Sequence, residues 1–139
     1  MKIEHIAYMT ERPVEAAAWY TEHLGFTVKR KGEGSPYAHF LADATGRVMI
    51  EIYNNPKADV PDYRSMNPLV LHLAFSVEDV AGERERLFHA GATPAGEVEV
   101  NAGGDTVAML RDPWGFPIQL VKRASPMIPD ERGAASDQE

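Results

Sequence analysis

His5-Ile6-Ala7-Tyr8 and, 67 residues later, His72-Leu73-Ala74-Phe75 share one pattern: a histidine opening a short apolar, strand-like run. Further landmarks recur in the same order. His23-Leu24-Gly25-Phe26 returns after 66 residues as His89-Ala90-Gly91-Ala92. Asp43-Ala44-Thr45-Gly46 returns after 69 as Asp112-Pro113-Trp114-Gly115, and Ile50-Glu51-Ile52 after 68 as Ile118-Gln119-Leu120. Four landmarks at a near-constant offset mark an internal repeat of about 55 residues. Each half contributes one histidine and one carboxylate or amide from within an apolar run.

Each half reads as βαβββ. In the first, residues 2–9 alternate as a strand and 13–23 form a helix. Pro13 suits a first turn, Ala16-Ala17-Ala18 favours helix, and Gly25 ends it. Strands follow over 26–31, 37–42 and 47–54. In the second half a strand covers 69–76, and Ser76 or Asp79 caps a helix over 79–89 that stops at Gly91. Strands follow near 96–100, 105–111 and 116–122. Pro56, Pro61 and Pro68 mark a connector between the halves. The expectation is one α+β domain over 1–123: module 1 (1–54), connector (55–68), module 2 (69–123). A polar tail, 124–139, is expected to be mobile or to lie on a partner surface. The two curved mixed sheets would form a cup, with helices on its outer face.

His5, Glu51, His72 and Gln119 each interrupt an apolar run. Strand side chains alternate faces, so Ile50, Ile52, Leu71, Leu73, Ile118 and Leu120 take the helix-covered side. The four polar residues take the other. Burying such groups without partners costs roughly 2–7 kcal/mol each, and a common partner removes that cost. Two imidazoles, a carboxylate and an amide oxygen suit a divalent cation: Zn, Ni, Co, Mn or Fe. A substrate with adjacent oxygens can then displace metal-bound water, and Glu51 can carry a proton. Met49 and Tyr53 share the Glu51 face as candidate substrate contacts. His39 on the Tyr37-Ala38-His39-Phe40 run and Trp114 are further candidate substrate contacts. His23 and His89 at helix ends offset the helix dipole. Trp19, Tyr20 and Phe26 are expected in the helix–sheet core.

The 139-residue chain carries a net charge of −7 and no cysteine. The acidic balance argues against nucleic acid as the main partner. The missing thiols exclude disulfides, thiolate nucleophiles and cysteine-ligated zinc. No apolar window reaches the length of a membrane span, so no membrane role is expected and a cytoplasmic location is.

The motifs His5-Ile6-Ala7, Trp19-Tyr20-Thr21-Glu22-His23-Leu24-Gly25-Phe26, His72-Leu73-Ala74-Phe75-Ser76-Val77-Glu78-Asp79-Val80, and Gly103-Gly104-Asp105-Thr106 followed by Asp112-Pro113-Trp114-Gly115-Phe116-Pro117-Ile118-Gln119-Leu120 resemble the vicinal oxygen chelate superfamily, in which the Gly103-Gly104 turn resembles a loop that lets substrate approach the backbone. That group holds glyoxalase I, methylmalonyl-CoA epimerase, extradiol dioxygenases and the fosfomycin or bleomycin resistance proteins. The resemblance covers residues 2–123 and is closest to glyoxalase I and epimerase-type members. It implies a metal held by His5, Glu51, His72 and Gln119, a small-molecule substrate, a homodimer, and lyase or isomerase chemistry through an enediolate. Gln119 departs from the pattern, because glyoxalase I and the epimerases place a glutamate there as ligand and base. Two other functions found in the superfamily are extradiol-type dioxygenation on iron and metal-free ligand sequestration.

Overall fold

The computed structural model describes residues 1–129. The first half contains β1 (His5–Met9), α1 (Pro13–His23), β2 (Thr27–Lys31), β3 (His39–Ala42) and β4 (Met49–Tyr53). The second contains β5 (Leu73–Ser76), α2 (Val80–His89), β6 (Thr93–Pro94), β7 (Glu99–Val100), β8 (Thr106–Arg111) and β9 (Pro117–Lys122). A 3-10 turn, Tyr63–Ser65, lies in the connector. The first sheet runs β1-β4-β3-β2 and the second β5-β9-β8-β6, with β7 also on β8. Each is mixed: β1 is parallel to β4 and β5 to β9, and the other pairs are antiparallel. The expected α+β class and the duplicated βαβββ unit are both present.

α1 starts with Pro at its first turn and buries Pro13, Ala16, Ala17 and Tyr20, a stripe at helical spacing. Asp79 caps α2 by accepting a hydrogen bond from the Gly82 amide. Gly25 (φ 73°) and Gly91 (φ 108°) end the helices in the left-handed region.

Three expected strands are shorter, for local reasons. Residues 2–4 have nothing to pair with, because the β1–β4 register begins at His5 and Met49. The 69–72 stretch is turned instead by Asn67, whose side chain and carbonyl accept from the Leu69 and Val70 amides. The strand expected near 96–100 shrinks to β7, and a separate two-residue β6 pairs with β8 ahead of it. Pro94 offers no amide, and Gly96 at φ 116° leaves the extended region.

One apolar core joins the halves. It takes Tyr8, Tyr20, Leu41, Ile50 and Ile52 from the first and Leu87, Leu110, Phe116, Ile118 and Leu120 from the second. Tyr8 stacks on Phe116 with ring centroids 3.9 Å apart. Trp19 Nε1 donates to the Ala90 carbonyl at 2.8 Å, and Arg86 donates to the His23 carbonyl at 2.8 Å. The modules therefore pack with their helix-covered sides facing each other. The connector is strapped across them. Arg111 donates to the carbonyls of Tyr63 and Met66 at 2.6 and 2.7 Å, and Tyr63 Oη donates to the Met9 carbonyl at 2.6 Å.

Within this core Tyr8 Oη donates to Tyr20 Oη at 2.7 Å, and Tyr20 Oη donates to Asp112 Oδ2 at 2.6 Å. Asp112 Oδ1 accepts from the Trp114 and Phe116 amides. Burial pushes the Asp112 carboxyl above its usual range against the pull of these bonds. Tyr20→Phe strips the chain of its centre and leaves a buried acceptor short of a donor. We expect it to cost about 1–3 kcal/mol, read as a lower urea midpoint; an unchanged midpoint would show that the chain carries no net stability.

Burial also raises the core phenols. Tyr63 is pushed from 10.0 up to about 12, and Tyr8 and Tyr20 stand well above the usual value. Their folded pKa values exceed the unfolded ones, so their contribution is complete below pH 10 and is lost as pH rises through the folded values. Urea midpoints should hold up to about pH 10 and fall steeply toward pH 12; a flat profile across that window would contradict the assignment.

Candidate functional site

The site grows from the sheet registers. In the first sheet Ala7 and Phe40 both align with Glu51, and Ala42 and His5 both align with Met49. Aligned residues project to one face, so His5, Phe40, Met49, Glu51 and Tyr53 share the side turned away from the core. His5 and Phe40 meet edge-on, with centroids 5.3 Å apart. His5 Nε2 stands 3.8 Å from Glu51 Oε1, and both side chains are largely shielded. In the second sheet Ala74 and Met109 align with Gln119. His72 lies just before β5 rather than inside it, two residues from Ala74.

The imidazoles are held in the same manner. His5 Nδ1 faces Glu4 Oε1 at 3.0 Å, and His72 Nδ1 faces the Pro68 carbonyl at 2.9 Å. An acceptor at Nδ1 selects the tautomer with the proton there, leaving the Nε2 lone pair for a cation.

His5 and Glu51 thus meet on the outward face of the first sheet, while Gln119 holds the equivalent register position in the second sheet and His72 lies just ahead of β5. Among the described residues no three His, Asp or Glu side chains come together as a metal cluster. The pair His5 and Glu51 suits a divalent ion. A gap of 3.8 Å between imidazole nitrogen and carboxylate oxygen can be spanned by two metal–ligand bonds of about 2.0–2.2 Å.

The other sequence-derived candidates divide. Met49 and Tyr53 lie half-buried on the Glu51 face. His39 does not. It aligns with Ile52 on the core side, is buried, and its Nδ1 lies 2.7 Å from the Tyr37 carbonyl. Its expected substrate contact is corrected by strand parity, because Phe40 is the residue beside Glu51. Trp114 packs against the connector, lining a cavity of about 30 Å³ with Val60, Tyr63 and Arg64. Gly103 and Gly104 form the β7–β8 turn, organised by Asn101 Oδ1, which accepts from the Gly103 and Asp105 amides. Asp105 in turn accepts from the Ala124 amide and Arg123. These bonds depress its pKa and tie the turn to the end of the second module.

Phe40 and Met109, which align with Glu51 and Gln119, escaped the sequence reading because apolar residues on the outward face look like core. So did Pro126, Met127 and Ile128, which wall a cavity of about 420 Å³ over Ala74, Ser76 and Val121. Ala74 and Ser76 belong to the face of Gln119. Residues 130–139 of the expected tail lie outside the described residues.

Among the described residues no helix is long and apolar enough to cross a membrane. The sequence pattern of the Glyoxalase/Bleomycin resistance protein/Dioxygenase superfamily matches residues 2–120. A probable lactoylglutathione lyase of Vibrio cholerae is 30% identical over 110 residues, covering 75% of this chain and 78% of that one. The lactoylglutathione lyase of Salmonella typhimurium is 28% identical over 128 residues, covering 88% and 93%. A glyoxalase family protein from Bacillus cereus superposes with a TM-score of 0.74 at 19% identity over 90% of this chain and 95% of its own, a likeness of fold. The duplicated βαβββ unit and a family pattern that runs through both copies agree: the chain belongs to the Glyoxalase/Bleomycin resistance protein/Dioxygenase superfamily.

Proposed function

We propose that this protein is a divalent-metal lyase or isomerase of glyoxalase type whose site is completed between two copies of the chain. The observation that carries the reading is that Glu51 and Gln119 hold equivalent positions in the two sheets, each on the strand next to an edge strand, β1 or β5. Among the described residues β1 pairs only with β4, and β5 only with β9. Around those edges Ile3, Ile6, Leu69, Val70 and Leu71 are exposed. Open strand edges flanked by apolar side chains call for a partner. A twofold dimer that sets β1 of one copy beside β5 of the other is self-complementary. It unites His5 and Glu51 of one chain with His72 and Gln119 of its mate, twice per dimer.

His5, His72, Glu51 and Gln119 would hold the metal through two nitrogens and two oxygens, a donor set without thiolate that suits Zn, Ni, Co, Mn or Fe. Bound there, the ion supplies Lewis-acid stabilisation of negative charge on a substrate oxygen. The chain supplies the rest. Glu51 takes a proton from carbon beside a carbonyl and returns it to the neighbouring carbon. Gln119 presents a carbonyl oxygen without basic capacity at neutral pH. Phe40, Met49, Tyr53 and Met109 form an apolar wall that keeps water from the reacting carbons. The relatives named lactoylglutathione lyase support a hemithioacetal of a 2-oxoaldehyde as the substrate class.

Elemental analysis of protein purified without chelator or affinity metal tests the site. About one divalent ion per chain is expected, with near-complete loss in His72→Ala. Protein that carries no metal and takes none up on reconstitution would overturn the reading.

A further inference from the structure

Glu51 and Gln119 occupy equivalent places in the two sheets. Glu51 aligns with Ala7 of the parallel strand and Phe40 of the antiparallel one. Gln119 aligns with Ala74 and Met109 in the same two roles. In a twofold-completed site they face the reacting carbons from opposite sides, a carboxylate on one and an amide on the other. Among the described residues no other group on these faces stands as a base opposite Glu51. His5 and His72 are assigned to the metal. Arg111 is spent on the Tyr63, Gly115 and Met66 carbonyls. Arg30, aligned with Phe40, is cationic at all working pH. Tyr53 shares the Glu51 side. Glu99, on β7, aligns with Val107 of β8, so it lies two strands from β9, on the order of 10 Å from the Gln119 position.

We propose, on the basis of the function argued above, that the site handles a single configuration of its substrate carbinol, and that Gln119 is the residue that excludes the other. In the accepted configuration the C–H bond points to Glu51. The carboxylate takes the proton, the C–H electron pair becomes a C=C bond, and the neighbouring C=O pair moves onto its oxygen. Protonated Glu51 then delivers that proton to the adjacent carbon. The hydroxyl proton passes to the neighbouring oxygen as the first carbon becomes the carbonyl. Nothing is oxidised or reduced overall. In the other configuration the C–H bond points to the Gln119 amide, which has no basic site for a proton taken from carbon.

The test is a rapid-mixing experiment with the metal-loaded protein and hemithioacetal preformed from methylglyoxal and glutathione, a probe holding both carbinol configurations. Enough protein is used to outrun their spontaneous exchange. The expected result is a burst that consumes half of the probe, followed by consumption at the exchange rate. Gln119→Glu, which keeps an oxygen donor and should keep the wild-type metal content by elemental analysis, is expected to consume all of it in the burst. Complete consumption by the wild type would overturn the stereochemical assignment alone. A Gln119→Glu burst that stays at half would overturn the role given to Gln119. No consumption by metal-bearing wild type would overturn the glyoxalase-type reading, and this inference with it.

Discussion

Glu51→Gln is expected to lower turnover by about 10²–10⁴-fold, the usual contribution of a positioned general base. Metal content should stay near the wild-type value. The two outcomes separate because the two roles of Glu51 use different properties of its side chain. As a ligand it lends an oxygen, which the glutamine amide also offers. As a base it must accept a proton, which the amide cannot. The substitution is nearly isosteric, the cross-strand neighbours Phe40 and Ala7 are apolar, and the His5 imidazole 3.8 Å away can face an amide as well as a carboxylate, so packing changes little. Parallel loss of metal and turnover would reassign Glu51 to a ligand role alone. Undiminished turnover with metal retained would remove it from the chemistry.

Ile6→Lys is expected to dissociate the dimer and abolish turnover together, without unfolding the chain. Ile6 is 62% exposed in the single chain, so the change removes little intrachain packing. Lysine on an edge strand is a common natural guard against strand pairing. Desolvating its ammonium at a subunit interface costs several kcal/mol, and each 1.4 kcal/mol is about tenfold in dissociation constant. Sedimentation velocity should report monomer, and circular dichroism should report a native fold. A monomer that still turns over substrate would place the site within one chain.

Much of this architecture is legible in the sequence, and what escapes it has identifiable causes. The repeat of His5 and His72, and of Glu51 and Gln119, sets both the element order and the face each residue takes. Alternation is a property of one strand, and Ile50, Glu51 and Ile52 obey it. It says nothing of how two sheets dock. Nothing local distinguishes helix-side to helix-side packing from a cup closed within one chain. The difference rests on Tyr8 meeting Phe116 and Tyr20 meeting Asp112 across the module boundary. His39 failed for a related reason. Its face depends on the register between β3 and β4, which is fixed by the intervening turn through the Asp43 amide bond to the Val48 carbonyl, not by the residues around His39. The two-residue β6 at Thr93–Pro94 lies ahead of the strand expected near 96–100, and Pro94 and Gly96, both of which interrupt pairing, separate it from β7.

The central claim is that each site is shared by two copies of the chain, and mixing two inactive variants tests it most directly. His5→Ala and His72→Ala each cripple both sites of their own homodimer. After the two are unfolded together and refolded, half of the dimers are mixed, and in a shared-site dimer one of the two sites in each is wholly wild type. Turnover should therefore return to about a quarter of the wild-type level by the isologous symmetry of the pair. A mixture as inactive as its components, with mixed dimers confirmed by mass, would show that the four residues never meet across the twofold.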